Sequence, residues 1–353
     1  MRTRAEVDVH ATDAVSTVVV SPEEERAVIA DALVRHGATP SDARLQAATL
    51  VEGDLRGHPS HGIRRLPVLV ERLRNGVSVS GVEPGLEWRT DAALAVDGRR
   101  GLGPVVAHRA LDLLLDRVAT TGLAVASIRD AGHVGMLSPY LERITATGNA
   151  GLMLSISEAL VHPWGGSTAM VGTNPLGVGI PTLGEPFILD MSTSQVSMGK
   201  IHDYAARGEP IPSGWAVDEH GTPTTDAAAA ARGAVSPFGG AKGYALGLAF
   251  EALVGVLAGS AFGRDVHGTL DVDHAPTKGD LLLVFSLERL GATGSLAGLT
   301  SYFDAVRDSG GATPVAIPGD RARAERAARA TAGIPLDAAV WERALALRNG
   351  DSS

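Results

Sequence analysis

Helix-like and strand-like segments alternate in the middle of the chain, and this alternation restricts its fold more than any other feature. The apolar runs "ALAVD" and "LAVASIR" indicate strands, and "GPVVAHRALDLLLDRVATT" between them has the apolar stripe of an amphipathic helix. A further apolar run, "GDLLLVFSL", follows much later in the chain. Strands that alternate with helices are typical of α/β folds. We therefore predict a mixed α/β domain over residues 86–310.

Both ends of the chain carry helical patterns instead. A first helix is expected after Val20, because Ser21 is a good N-cap residue and Pro22 suits the first helical position. A second helix is expected with Ser41 as its N-cap and Gly57 as its end. We predict an N-terminal arm at residues 1–20, a helical lobe at 21–85, and a C-terminal segment at 311–353 that packs on that lobe.

Composition limits the functions open to the chain. Its 353 residues exceed the usual size of one hydrophobic core, so two or three lobes are expected. The formal net charge of −9 disfavours nucleic acid or a membrane as partner, since both need basic patches. The lack of cysteine excludes disulfides, thiolate catalysis and cysteine-based zinc sites. The apolar segment 244–262 contains Glu251 and is predicted to be a buried globular helix, so a cytoplasmic protein is expected.

The stretch "GHPSHGIRRLP" carries the first candidate site. It holds two histidines, His58 and His61, with Ser60 before the second and two arginines after it. Imidazole suits proton transfer near neutral pH, and an arginine can hold a carboxylate through two parallel hydrogen bonds. The alternative is a surface turn with incidental polar residues, and a structural role is favoured for His58. We therefore take His61 as the candidate proton carrier.

Several turns elsewhere could also bind a ligand, and those of His133 and Asp190 have an equally good structural explanation. "AGHVGMLSPYLE" places His133 where a strand gives way to a helix, whose free amides favour anions. "ILDMSTSQ" puts Asp190 at a strand end, where it can orient a histidine or cap a helix. "PFGGAKGYAL" sets Lys242 at a helix start, without the Gly-Lys-Ser/Thr ending of a P-loop. A G-x-G-x-x-G fingerprint opening a helix is absent, so a standard Rossmann crossover is not expected.

Taken in order, these stretches resemble the malate/L-lactate dehydrogenase family of the second type, which differs from the Rossmann lactate and malate dehydrogenases. That family includes ureidoglycolate and sulfolactate dehydrogenases, diketogulonate reductase and piperideine-2-carboxylate reductase. The resemblance runs from Glu23 to Asp337. The stretches that carry it are "DLRGHPSHGIRRL", "AGHVGMLSPY", "GGSTAMVGTNPLGVGIP", "ILDMSTSQVSMGKI", "IPSGWAVDEHGTPTTD", "PFGGAKGYAL" and "IPGD".

The resemblance implies a role for each candidate residue. His61 is similar to the family's proton donor and acceptor, and Ser60 and Asp190 match the residues that form a relay with it. Arg65 matches the residue that grips the substrate carboxylate, and Arg64 competes with it on spacing alone. The residues that match cofactor contacts are His133, Val134, Gly135, Met136, Leu137, Ser157, Asp190, Met191, Ser192, Lys242, Gly319, Asp320 and Arg321.

The implied protein is an NAD(P)-dependent oxidoreductase that assembles as a homodimer or a larger homo-oligomer and binds no metal. It would move a hydride between nicotinamide and a small 2-hydroxy or 2-oxo acid of the malate, lactate, ureidoglycolate or sulfolactate type. A cyclic-imine reductase of the piperideine-2-carboxylate type is the alternative within the family. The implied fold is a non-Rossmann cofactor domain with a largely antiparallel sheet, plus a helical lobe built from both chain ends.

Two other classes of protein compete with that interpretation. A metal-dependent hydrolase could use His58, His61, His133 and Asp190 as ligands. A non-catalytic binding protein could have kept the fold. One departure from the family pattern concerns the substrate: Ser157 is followed by Glu158, where an asparagine-containing run is frequent. A carboxylate there is expected to disfavour a dianionic substrate.

Overall fold

The computed structural model describes residues 16–311 and 313–351. Its helices are α1 (Pro22–Arg35), α2 (Pro40–Leu55), α3 (Leu66–Arg74), α4 (Gly103–Thr121), α5 (Ser138–Thr145), α6 (Met198–Ala206), α7 (Ala227–Arg232), α8 (Ala241–Ala258), α9 (Leu296–Asp308), α10 (Asp320–Ala332) and α11 (Ala338–Asn349). Its strands are β1 (Thr17–Val20), β2 (Gly85–Trp88), β3 (Ala93–Asp97), β4 (Leu123–Arg129), β5 (Asn149–Ser155), β6 (Leu176–Ile180), β7 (Phe187–Met191), β8 (Ala216–Val217), β9 (Pro223–Thr224), β10 (Ala234–Val235), β11 (Gly279–Ser286) and β12 (Ile334–Asp337).

A seven-stranded sheet forms the centre of the protein. Its strand order is β2-β3-β4-β11-β5-β6-β7, and every neighbouring pair is antiparallel except β3 and β4. Successive residues of β11 face opposite sides. Leu282 packs with α4 and α5 in one core, whereas Leu281 packs with α8 in another. The predicted α/β class with a largely antiparallel sheet is therefore confirmed.

One edge of this sheet gathers the segments that carry the candidate residues. The carboxyl ends of β4, β5 and β7 lie beside the amino ends of β11 and β6, because these neighbours are antiparallel. The registered pairs at this edge are Arg129–Gly279, Ser155–Asp280 and Leu176–Met191. The segments that follow β4, β5 and β7 therefore emerge close together, although they are far apart in sequence.

The two chain ends form a separate helical lobe, as predicted. Strand β1 pairs with β12, and α1, α2, α3 and α11 share one apolar core. The N-cap of α1 is Ser21, as expected, but α2 is capped by Thr39, not Ser41. Thr39 is the N-cap because the helix starts one residue later, at Pro40, and proline suits the first helical position.

The predicted N-terminal arm differs in part from the structure. Residues 17–20 form β1, because their apolar and β-branched side chains pair with β12 of the C-terminal segment. Residues 1–15 of the arm lie outside the described residues. The exact bounds of the four predicted segments stay a prediction.

The apolar helix α8 corrects one expectation. The helix was predicted to be buried, yet only one face of it is buried, and Val256 and Leu257 remain 72% and 54% exposed. The buried face carries Gly243, Gly247, Glu251, Val254, Gly255 and Ala258. Within the described residues α8 is the one helix long and apolar enough to cross a membrane, with 33% of it buried. A side chain at Gly247 would meet Thr193 at 2.7 Å, so this glycine allows α8 to approach the segment after β7 closely.

Candidate active site

The turn that carries His61 packs against the C-terminal end of α2. After α2 ends at Leu55, the chain forms two short 3₁₀ turns, and the Asp54 carboxylate accepts a hydrogen bond of 2.6 Å from the backbone amide of Ile63. A side chain at Gly53 would meet the His61 carbonyl at 2.6 Å, so only glycine allows this approach. The Ser60 hydroxyl lies 3.1 Å from Nδ1 of His61. The predicted serine–histidine pair is therefore present.

A buried carboxyl group supports this turn and was missed in the sequence. Glu25 is fully buried in α1, and burial, reinforced by the nearby Asp54 charge, raises the pKa of Glu25 far above its usual range. Glu25 is therefore neutral at pH 7, and burial also raises the pKa of Asp54, which the hydrogen bond from the Ile63 amide opposes. The only signal in the sequence is a glutamate on the apolar face of an amphipathic helix.

His133 lies beside His61. The two ring centroids are 5.4 Å apart, although 72 positions separate the residues and they follow different elements. The amide of Gly135, whose φ is +83°, donates a hydrogen bond of 3.1 Å to Nδ1 of His133. Because an amide can only donate, a neutral His133 carries its proton on Nε2. The predicted loop thus holds His133 in one tautomer.

Both imidazoles are neutral near pH 7. Burial, then the charges of Arg65 and His58, lowers the pKa of His61 to about 3. Burial also lowers the pKa of His133 well below its usual value, with smaller effects from Arg65, His61 and Lys278. Neutral His61 can accept a proton, and an anion bound beside Arg65 would offset one of the charges that depress its pKa.

The two arginines of the opening motif separate completely. Arg65 is buried and donates from Nη2 to the carbonyl of Thr269, and its other nitrogens make no hydrogen bond with the part of the chain that the structure describes. Arg64 points away and forms an ion pair with Asp203. The geometry therefore favours Arg65 over Arg64 as the carboxylate grip, since Arg65 acts directly on both histidines.

Glu158, the departure from the family pattern, binds the loop at residues 269–271, whose Thr269 carbonyl accepts the hydrogen bond from Arg65. One of its carboxylate oxygens accepts hydrogen bonds of 2.8, 2.8 and 3.0 Å from the amides of Thr269, Leu270 and Asp271. Burial lowers the pKa of Arg65 to about 10, and the Glu158 charge opposes that effect. Glu158 is therefore both a loop anchor and a negative charge within range of the guanidinium.

Asp190 has partners other than those expected for a relay. Its Oδ2 accepts hydrogen bonds of 2.8 Å from the amides of Leu137 and Ser138, at the start of α5. Burial raises the pKa of Asp190, and these amide hydrogen bonds oppose that effect. No hydrogen bond or ion pair joins Asp190 to His61 within residues 16–311 and 313–351. Asp190 therefore fixes the loop that carries His133, and its relay role stays a prediction.

The glycine-rich loop after β5 is organised by buried polar groups. The Ser157 hydroxyl accepts a hydrogen bond of 2.9 Å from the amide of Thr173. The fully buried Asn174, with φ of +30°, donates 2.8 Å to Glu251 and accepts from the amide of Ser157 at 3.3 Å. Asn174, to which the sequence assigned no definite role, therefore joins the cofactor-motif serine to α8.

The remaining predicted cofactor residues lie around the same edge with fewer mutual contacts. Met191 and Ser192 follow Asp190 at the end of β7, and the Ser192 hydroxyl lies 3.0 Å from that of Ser194. Lys242 is exposed in the first turn of α8 and makes no hydrogen bond to another described residue. Val134 and Met136 are buried within the His133 loop.

The later motif, Gly319–Arg321, begins α10 beside β7. The amide of Ile188 donates to the carbonyl of Pro318 at 3.2 Å, while Asp320 is bound by Arg307 and Arg323. Arg321 is exposed, and its charge lowers the pKa of His58 after the larger effect of burial. Asp320 is thus occupied by ion pairs, and Arg321 is the member of this motif whose charge reaches the histidine turn.

Two ion pairs that brace the site could not be recognised in the sequence. Arg56 donates to both oxygens of Glu142, at 2.5 and 2.7 Å, and so ties α2 to α5. Lys278 and Asp280 form a pair of 2.5 Å with both side chains 1% exposed. Lys278 also contributes to the lowered pKa of His133. The Arg56–Glu142 pair connects segments that only the fold brings together, whereas Lys278 and Asp280 are two residues apart at the start of β11.

The four residues of the alternative hydrolase site do not form a metal-binding group. Within the described ranges, the one cluster with three ligand atoms together is His267, Asp271 and His274, and it contains none of the four. The carboxylate of Asp190, moreover, is turned toward backbone amides. The hydrolase interpretation therefore has no support.

The chain is similar to known proteins over most of its length. The sequence model of the malate/L-lactate dehydrogenase family matches residues 20–344. A malate/(S)-sulfolactate dehydrogenase from Methanothermus fervidus is 35% identical over 327 residues, which cover 92% of this chain and 96% of the relative. A Δ¹-pyrroline-2-carboxylate reductase from Burkholderia multivorans is 32% identical over 341 residues, covering 94% and 98%.

A solved structure supports the same relationship. The crystal structure of a dehydrogenase from Sinorhizobium meliloti is 48% identical and has a TM-score of 0.91. The match covers 95% of this chain and 99% of that protein. Sequence and fold are therefore similar over nearly the whole length of both chains.

Proposed function

Because the chain belongs to the malate/L-lactate dehydrogenase family of oxidoreductases, we propose that it transfers a hydride between NAD(P) and a small 2-hydroxy or 2-oxo acid. The observation that carries this proposal is the neutral imidazole of His61 in the electrostatic field of the buried Arg65 guanidinium. A carboxylate held by Arg65 would present its neighbouring hydroxyl or carbonyl group to a proton acceptor or donor.

The residues of the chain would supply binding, orientation and a proton. In the oxidation direction His61 accepts the hydroxyl proton through its free ring nitrogen, Nε2, while Nδ1 keeps its contact with Ser60. In the reduction direction the protonated ring returns that proton to the carbonyl oxygen. Arg65 fixes the carboxylate, and His133 offers its Nε2–H as a fixed hydrogen-bond donor.

The first turn of α8 fits the anionic part of a nicotinamide dinucleotide. Its N-cap Gly240 provides no side-chain hydrogen bond, so the first amides of α8 are free for an anion, and Lys242 adds a positive charge. With the segments 133–137 and 190–192 at the same sheet edge, these groups would hold the cofactor, which supplies or accepts the hydride. Arg321 is our candidate for a further contact.

Glu158 favours substrates that carry one negative charge. Its carboxylate acts on Arg65 and offsets part of the positive charge that a second anionic group of the substrate would need. A monocarboxylic 2-oxo acid therefore suits the site better than a dicarboxylate or a sulfonated acid. The same observation supports a second candidate, a cyclic-imine carboxylate, whose imine nitrogen would take the proton from His61.

We propose that the protein is a homodimer or larger homo-oligomer in the cytoplasm, where NAD(P) is available. The outward face of α8 exposes Leu253, Val256 and Leu257, and continuous apolar surface of this kind is usually covered by another protein surface. A Val256→Glu variant should lower the mass found by light scattering to that of one chain. A wild-type protein that is monomeric at micromolar concentration would refute this assembly.

The test of the proposed activity follows NADH and NADPH absorbance with a panel of substrates. The panel contains pyruvate, oxaloacetate, sulfopyruvate, ureidoglycolate and piperideine-2-carboxylate, the ureidoglycolate assayed in the oxidation direction. We expect turnover with at least one of them, a higher kcat/KM for the monoanions, and the reverse order of preference in Glu158→Gln. Lack of turnover across the panel would favour a non-catalytic binding protein, and a preference for dianions would remove the role given to Glu158.

A further inference from the structure

A second cluster of chemically active side chains contains none of the residues assigned to the dehydrogenase site, although Glu158 anchors the segment that carries it. His267, Asp271 and His274 belong to the segment that precedes β11, and their three ligand atoms lie within 4.8 Å of one another. Nδ1 of His267 is 3.5 Å from Oδ2 of Asp271, and Nδ1 of His274 is 3.1 Å from the same oxygen. We propose that these three residues form a binding site for a divalent transition-metal ion of the Zn²⁺ type.

The spacing of the donor atoms suits such an ion. Ligands about 2.1 Å from a tetrahedral zinc ion are about 3.4 Å from each other. The distances of 3.1 and 3.5 Å from the two imidazole nitrogens to the carboxylate oxygen lie on either side of that value, and all three atoms lie within 4.8 Å of one another. Two imidazole nitrogens and one carboxylate oxygen are a usual zinc ligand set, with a fourth position left for water.

The two histidine rings lie side by side next to the same carboxylate oxygen. The rings of His267 and His274 stack with centroids 4.5 Å apart and an angle of 19° between their planes. Nδ1 of each ring lies beside Oδ2 of Asp271, so both rings can direct an Nδ1 lone pair toward a cation bound at that oxygen.

The backbone around the ligands is already fixed. Glu158 binds the amides of residues 269–271, while the amide of His267 donates 2.9 Å to the Thr277 hydroxyl. The Asp271 carboxylate accepts 2.9 Å from the amide of His274. Supporting hydrogen bonds of this kind orient the ligands and lower the ordering cost of binding. His274 is 62% exposed, which gives an ion access to the site.

Equilibrium dialysis against Zn²⁺ tests the proposal without substrate or cofactor. The protein carries no affinity tag and is first stripped with EDTA. We expect about one Zn²⁺ per chain at micromolar free metal, and at least about tenfold weaker binding in His274→Ala and Asp271→Asn. The bound ion should raise the thermal midpoint of the wild type, and Mg²⁺ should not replace it. Co²⁺ in its place should give the visible absorption of a tetrahedral site.

A matched control separates this site from general histidine binding. His220 is exposed and lies 3.8 Å from Glu219, but it has no third ligand in the described part of the chain. His220→Ala should therefore bind Zn²⁺ like the wild type. Equal Zn²⁺ uptake by wild type and His274→Ala, or no binding at micromolar metal, would overturn the proposal. Because binding is measured without turnover, this result is independent of the proposed dehydrogenase activity.

Discussion

His61 and His133 are neighbours with the same chemistry and different constraints. Both rings have a pKa lowered mainly by burial, and their centroids are 5.4 Å apart. His61 has a hydroxyl beside Nδ1, which can donate or accept, so the ring can change its protonation state without breaking that contact. Nδ1 of His133 accepts a hydrogen bond from the backbone amide of Gly135, which fixes the neutral ring as a donor through Nε2. The partner at Nδ1, and not the burial, distinguishes a proton carrier from a fixed hydrogen-bond donor.

The largest expected effect separates the two rings directly. His61→Ala should lower kcat about 10²- to 10⁴-fold, because no other group replaces its proton transfer. His133→Ala should lower kcat less, since it removes only a hydrogen-bond donor. Steady-state kinetics and NAD(P)H binding by fluorescence measure both variants, with cofactor affinity preserved in His61→Ala. A larger loss of kcat in His133→Ala would reverse the assignment.

The next effect concerns the positive charge of Arg65, which lowers the pKa of both histidines. Arg65→Met should raise the substrate KM about 10- to 100-fold, through loss of a charge-assisted pair with the carboxylate. The matched control is Arg64→Met, which removes an exposed arginine paired with Asp203 and should leave KM nearly unchanged. Equal effects of the two substitutions on KM would show that Arg65 is not the carboxylate grip.

Asp190 binds the end of the loop that carries His133. Asp190→Asn should lower the free energy of unfolding by about 1–3 kcal/mol, because it weakens two hydrogen bonds to the start of α5. The His133 loop should also exchange its amide hydrogens faster than the His61 turn. Urea unfolding and hydrogen exchange measure these changes. A pH–rate profile altered like that of His61→Ala, with the loop unperturbed, would support the relay with His61 instead.

The lowered pKa values predict a loss of stability in acid. The folded protein keeps both rings neutral, whereas the unfolded chain binds protons below about pH 6.5. Their contribution is therefore complete above pH 6.5 and is lost as the pH falls below it, for His61 down to its folded pKa of about 3. Urea unfolding at pH 6.5 and 5.0 should show a smaller decrease in stability for His61→Gln and His133→Gln than for the wild type. An unchanged decrease in both variants would contradict neutral rings.

The smallest effect is expected at the hydroxyl itself. Ser60→Ala removes one neutral hydrogen bond and should reduce kcat by about 3- to 10-fold. In ¹⁵N spectra of the imidazoles, this change should alter the tautomer ratio of His61 and leave that of His133 unchanged. A shift in the tautomer of His133 would show that the two rings are coupled more strongly than their separate partners indicate.

The sequence predicted the helices, the strands and the candidate residues better than it predicted the contacts between them. The N-cap at Ser21 predicted the start of α1 correctly, and the apolar patterns predicted the strands of the central sheet. Both predictions succeeded because capping and side-chain periodicity are local properties. The expected burial of α8 was wrong, because apolar composition does not say which face meets the sheet and which meets another surface. Asp190 shows the same limit, since a carboxylate at a strand end has several partners within reach.

The sequence by itself determined the class of the fold, the order of its motifs and the residue types able to carry a proton or hold a carboxylate. Only the tertiary structure decided that the His61 turn meets the His133 loop, that Arg65 turns inward while Arg64 pairs with Asp203, and that Glu158 anchors the loop before β11. The physical reason is that propensities and caps act over a few residues. The partners of a buried charge are chosen by strand order and register, which bring distant segments to one sheet edge.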